Sequence, residues 1–130
     1  FDVLRISYKE IRDIDPVHPV YMVEPNKPAL KIIEKCVDIL ATDPYPGVKE
    51  VSGRTSQTYV SDLAANSIEA AKGRKPVYTI LQAFDFKGLQ PTAEHIRHYL
   101  WQSILSGVKG TGYYALDELR DGAEAISISS

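Results

Sequence analysis

The sequence predicts a parallel α/β fold, and three observations predict it. Helical apolar spacing alternates four times with short runs of branched and aromatic residues, at Val20, Asp38, Val77 and Thr111. Each run is reached only through a helix, and a helical crossover makes neighbouring strands parallel. The run Val37-Asp38-Ile39-Leu40-Ala41-Thr42 is short, continuous and rich in branched residues, the pattern of a strand buried on both faces.

The elements follow in order. Leu4, Tyr8, Ile11 and Ile14 recur at helical spacing, and Asp15-Pro16-Val17-His18-Pro19 ends that helix, since residues before proline are pushed out of the helical region. Val20-Tyr21-Met22-Val23 is the first strand, with Glu24-Pro25-Asn26 as its exit loop. Pro28 suits a helix start, and Leu30, Ile32, Ile33 and Cys36 supply the apolar side of a helix leading to the strand around Ile39. From Pro46 to about Thr58 the chain is polar and is expected to be an enlarged loop. Val60, Leu63, Ala64, Ile68 and Ala71 trace the next helix, Gly73 stops it, and Val77-Tyr78-Thr79-Ile80-Leu81 is the third strand. Thr92 caps a helix with Glu94 in its first turn; Ile96, Tyr99, Leu100, Ile104 and Leu105 form its inward stripe, with Trp101 expected to pack beside them. Gly110-Thr111-Gly112-Tyr113-Tyr114-Ala115 is the fourth strand, and the polar tail from Asp117 to Ser130 is expected to fray.

Composition excludes several function classes. A chain of 130 residues, 44% hydrophobic and 25% charged, has the makeup of one domain over residues 1–130, and no stretch is long enough to span a bilayer. A net charge of -2 with scattered Lys and Arg offers no footprint for nucleic acid. Cys36 is the only cysteine, which leaves no disulfide framework and no cysteine metal site; it is expected to be a small buried hydrophobe, and the compartment stays open. His95 and His98 stand three apart on a helix with no third ligand nearby, so no metal is expected, and no cofactor. His18, at the amino end of its strand, is expected to be a structural loop residue. The chain opens on Phe1 without an initiator methionine or signal peptide, which suggests residues upstream.

Functional chemistry is expected where Asp43-Pro44-Tyr45-Pro46 closes the second strand. Proline lacks the ladder donor and stops the strand at once, leaving an acid and a phenol at its carboxyl end, where ligands bind parallel sheets. Tyr45, Phe84, Phe86 and Tyr114 are expected to cluster at this same end, Phe84 as packing rather than as a contact.

The segments Tyr8-Lys9-Glu10-Ile11-Arg12, Asp15-Pro16-Val17-His18-Pro19-Val20, Asp38 through Pro46, Lys75 through Phe84 and Pro91-Thr92-Ala93-Glu94-His95-Ile96-Arg97, in that order, resemble the carboxyl-terminal half of a glycoside-hydrolase-like (β/α)8 TIM barrel of the β-galactosidase and cellulase clan. Gly107 through Tyr114 resembles its final strand. The resemblance implies that the four βα units here are strands five to eight, with one to four before Phe1. It also implies that the clan's acid/base glutamate, after strand four, lies outside this chain. At the end of strand seven, where the clan's nucleophile is expected, this sequence has Gln82, an amide that cannot attack as a carboxylate does.

Four carboxylates remain near the implied rim: Glu24, Asp43, Asp85 and Asp117. Glycoside hydrolysis needs two carboxyl groups roughly 5 Å apart for retention or about 6.5 to 9.5 Å for inversion, spacings that neighbouring strands about 4.8 Å apart supply. Glu24 and Asp43 are the expected catalytic pair; Tyr45, Gln82, Asp85, Tyr114 and Asp117 are the expected substrate contacts, Gln82 through a sugar hydroxyl. The function expected from the resemblance is a glycoside-hydrolase-like protein acting on or binding a carbohydrate at the carboxyl-end mouth of the barrel, hydrolysing O-glycosyl bonds in the full-length parent and inactive as this chain alone; the alternative is a non-catalytic carbohydrate-binding or scaffold homologue that has lost the acid pair. A half-barrel's inner face needs cover, from a missing amino-terminal half-barrel or a second copy of the chain.

Overall fold

A computed structural model describes residues 2–51, 53 and 57–115. The order is α1 (Asp2–Ile14), β1 (Tyr21–Val23), α2 (Lys27–Ile33) running into a 3₁₀ turn (Glu34–Cys36), β2 (Ile39–Thr42), α3 (Pro46–Val51), α4 (Tyr59–Ala71), β3 (Val77–Gln82), α5 (Ala93–Ser106) and β4 (Gly110–Tyr114). The strands form one sheet in sequence order, β1-β2-β3-β4, and every neighbouring pair is parallel. The architecture is α/β, four parallel βα units making half of a (β/α)8 barrel.

Alternation along the strands sorts their side chains into two faces. Leu40 stands opposite Val77, and both join the core that Leu30, Ile33 and Val37 build with Ala70 and Ala71 of α4. Met22, opposite Leu40, packs against the same cluster. Farther along this helix-covered face the Thr79 hydroxyl donates to Ser103 of α5 at 3.0 Å, so a buried polar pair is satisfied where two elements meet. The opposite face carries Tyr21, Val23, Ile39, Ala41, Tyr78, Ile80, Gln82 and Tyr114, brought into rows by the pairings Val23 with Ala41, Ala41 with Tyr78 and Gln82 with Tyr114. Gly110 is required on this face: a Cβ there would lie 2.7 Å from the Tyr78 ring.

Three expectations are corrected. The polar stretch after Pro46 is not all loop, for Pro46–Val51 forms α3, whose first turn proline pre-sets. The inward stripe of α5 is narrower than its apolar residues suggest: Ser103 is its buried residue, Ile96, Tyr99 and Leu100 are half-buried, and Ile104 and Leu105 are exposed. Trp101 is 53% exposed and does not pack into the core. On α1 no residue is buried, and Ile11 and Ile14 face outward. Ile11 and Ile14 of α1 and Ile104 and Leu105 of α5 thus stay exposed among the described residues. The expected tail, Asp117 to Ser130, lies outside the described residues.

Candidate functional site

The carboxyl ends of the strands converge as the parallel register requires. Ladder pairing continues one step past β1, where the Glu24 N–H donates to the Ala41 carbonyl at 2.9 Å, so Glu24 stands beside Thr42 at the end of β2, one residue from Asp43 in register. Pro44 and Pro46 are buried and stop β2, directing Asp43 and Tyr45 to the rim.

Asp43 is the perturbed carboxyl of the mouth. Its Oδ1 is buried without a hydrogen-bond partner among the described residues. Burial pushes its carboxyl above the usual range; its own backbone N–H opposes this, the Glu24 charge adds to it, and the Tyr45 side chain, by hydrogen bonding, opposes it again. Asp43 lines a cleft of about 180 Å³ with Pro25, Tyr45, Val48, Lys49 and Tyr59. Complete small-molecule pockets start at about 300 Å³, so this cleft by itself is smaller than a complete pocket. Tyr59 is pushed up by burial and by the Asp43 charge, and the Lys49 ammonium sits 6.0 Å from its ring centre.

Beside the acid stand three rings. Tyr45 meets Phe84 edge to face at 5.1 Å, Phe84 meets Tyr114 edge to face at 6.0 Å, and Tyr45 and Tyr114 lie near parallel at 6.5 Å. Phe84 is buried and supports the two tyrosines, of which Tyr114 is exposed. Phe86 is not in this cluster; it pairs with Leu89 in the loop beyond β3, with Lys87 over its ring at 5.6 Å.

The remaining expected residues are placed differently. Gln82 is 0% exposed, with Oε1 accepting from the Gly47 N–H at 2.9 Å and Nε2 donating to the Phe84 carbonyl at 3.1 Å. Its amide is engaged within the chain and offers the mouth no free surface for a sugar hydroxyl. Asp85 is exposed and accepts from the Gly88 N–H at 2.9 Å, which makes it the former of that turn. Asp117 lies outside the described residues. Glu24 Oε1 accepts from the Asn26 N–H at 2.7 Å, fixing the exit loop of β1 while its carboxylate remains half-buried at the rim. His18 is an exposed loop residue whose Nδ1 is 2.7 Å from Asp15.

Tyr59 and Lys49 were not foreseen. The available signal was Tyr59 at the start of a helix directly after the polar stretch that leaves the rim, a place from which an aromatic ring reaches back over the strand ends.

Comparison with solved structures finds a β-D-glucuronidase of Dictyoglomus thermophilum, a TIM-barrel glycoside hydrolase, with a TM-score of 0.57 and 17% identity over 87% of this chain. The chain spans 22% of the length of that structure. At this identity the likeness shows a glycoside-hydrolase-like fold. No family model and no curated protein matches the sequence.

Proposed function

We propose that this chain forms part of the carboxyl-end mouth of a glycoside-hydrolase-like barrel and binds a carbohydrate there, with Asp43 and Glu24 as the carboxyl pair and Tyr45 and Tyr114 as the rings against which a pyranose lies. The observation that carries the reading is Asp43, a carboxyl at a strand end whose pKa burial raises and which stands beside a cluster of aromatic rings. A carboxyl so raised holds its proton closer to neutral pH and can hand it to a glycosidic oxygen. Glu24, on the adjacent strand, supplies the second carboxylate that such chemistry needs. The Tyr45 and Tyr114 faces bury the apolar side of a sugar ring while its hydroxyls reach the polar rim.

One observation favours a second reading, carbohydrate binding without hydrolysis. The strand end at which the resembled clan would carry a nucleophile holds a neutral amide engaged on both sides. Methylumbelliferyl glycosides, assayed for hydrolysis with wild type and Asp43→Asn of the full-length polypeptide, separate the readings when combined with calorimetric binding of the corresponding free sugars. Loss of the acid carboxyl should lower hydrolysis about 10²- to 10⁴-fold while sugar binding persists. Binding by the wild type with no hydrolysis selects the second reading, and absence of both removes the carbohydrate assignment.

A further inference from the structure

We infer that Gln82 is a positioning residue: its buried amide ties the start of α3 to the loop leaving β3, and through that tie sets the spacing of the Tyr45, Phe84 and Tyr114 rings. Three ring-bearing segments meet at the mouth, and each comes from a different strand end. Tyr114 is joined to the β3 side by the ladder, since the Ala83 N–H donates to its carbonyl at 2.7 Å. The segment carrying Tyr45 has left its strand at two buried prolines and has no ladder of its own. Besides the Tyr45–Phe84 ring contact, the Gln82 side chain joins it to β3, accepting from the N–H of Gly47, two residues past Tyr45, and donating to the carbonyl of Phe84 itself.

The fit is specific to an amide and to the glycine it touches. The Gly47 N–H belongs to the first turn of α3, where backbone donors have no partner within the helix. The Phe84 carbonyl is an acceptor, so the group facing it must donate, and Gln is the side chain that accepts on one side and donates on the other. A carboxylate in its place would turn a second oxygen toward the Phe84 carbonyl and lose the donor. A Cβ on residue 47 would lie 2.8 Å from Nε2 and 3.1 Å from Oε1, so glycine is what lets the backbone come this close. The neutral residue at this strand end therefore has a structural reason of its own.

The test compares Gln82→Glu, Gln82→Met and Gly47→Ala with wild type in the full-length polypeptide, reading the near-ultraviolet circular dichroism of tyrosine, with Tyr45→Phe and Tyr114→Phe assigning the part due to the mouth. At pH 7 Gln82→Met and Gly47→Ala should each lose more than half of that band, and the two combined should lose no more than either alone; Gln82→Glu should lose it once its carboxyl ionises. On acidification Gln82→Glu should recover it. Burial raises the introduced carboxyl above about 4.3, and once protonated it again donates to the Phe84 carbonyl while accepting from Gly47. Gln82→Met should not recover. Each spectrum is read against wild type at the same pH, which removes the titration of Asp43 and Glu24, the carboxyls that share the mouth. If Gln82→Glu does not fold at pH 7, Gly47→Ala probes the same tie from its other end.

A wild-type band in Gln82→Met at pH 7, or a full band in Gly47→Ala, overturns the inference. So does a gain of methylumbelliferyl glycoside hydrolysis in Gln82→Glu, which would make the position a catalytic one. A last readout, weakened sugar binding in Gly47→Ala, rests on the carbohydrate reading; the spectroscopic arm does not, so failure of the one is distinguishable from failure of the other.

Discussion

Asp43 stands where the hydrogen bonding of the sheet ends and a half-covered polar rim begins. Its carboxyl is raised chiefly by burial, so the folded chain holds the proton more tightly than the unfolded chain, whose aspartates titrate at about 3.9. Stability from this group is fully present below about pH 3.9 and declines as pH rises from there through the higher folded-state value. Asp43→Asn removes the charge and should melt at or above the wild-type temperature at pH 7, the advantage fading toward pH 4, as thermal melts across pH will read. The acid and Tyr45 were legible because proline beside a strand-ending acid leaves few conformations. Lys49, Tyr59 and the engaged state of Gln82 were not. Gly47 lies 35 residues from Gln82, and a residue type in a sequence does not disclose a partner so distant.

At the scale of elements, α1 is held by polar contacts more than by apolar burial. The Tyr8 hydroxyl donates to Asp38 at 2.7 Å, the Val20 N–H donates to the same carboxylate at 2.8 Å, and the Arg12 guanidinium approaches it at 3.8 Å. The Val20 N–H first, then Tyr8, with Arg12 and Lys75 adding charge, hold the Asp38 carboxyl below its usual range against the opposing effect of burial. Its contribution is present above about pH 3.9 and is lost as pH falls through the lower folded-state value. Tyr8→Phe should cost about 1 kcal/mol at pH 7 and less in strong acid, measurable by urea titration at each pH. At the other end of the chain the Thr92 hydroxyl accepts from the His95 N–H at 3.2 Å while His95 Nδ1 accepts from the Thr92 N–H, a reciprocal cap for α5. Thr92→Ala should cost roughly 1 kcal/mol by the same measurement. Apolar spacing and caps made the long helices legible. The short α3 was hidden because it has no apolar period and begins under a tie from another strand. The α5 stripe was overdrawn because apolar type does not say which side a neighbour covers.

For the whole molecule, the parallel order of the sheet was legible because crossovers leave little alternative. The sheet buries one face under helices and leaves the other, with Tyr21, Val23, Ile39, Tyr78 and Ile80, partly open among the described residues. Tyr21 on that face is 60% exposed, Ile14 of α1 85% and Leu105 of α5 81%. Apolar surface left in water forgoes roughly 25 cal/mol per Å², and net stabilities of about 5 to 15 kcal/mol leave little margin for an uncovered sheet. We propose that four further βα units, in the same polypeptide or in a second copy, cover this face and complete the mouth around Asp43, Tyr45 and Tyr114. Light scattering combined with calorimetry on the 130-residue chain tests this most directly. The account predicts self-association, or a monomer that melts without a cooperative transition; a stable monomer with one sharp melting transition would contradict it, because the open face would then need no cover.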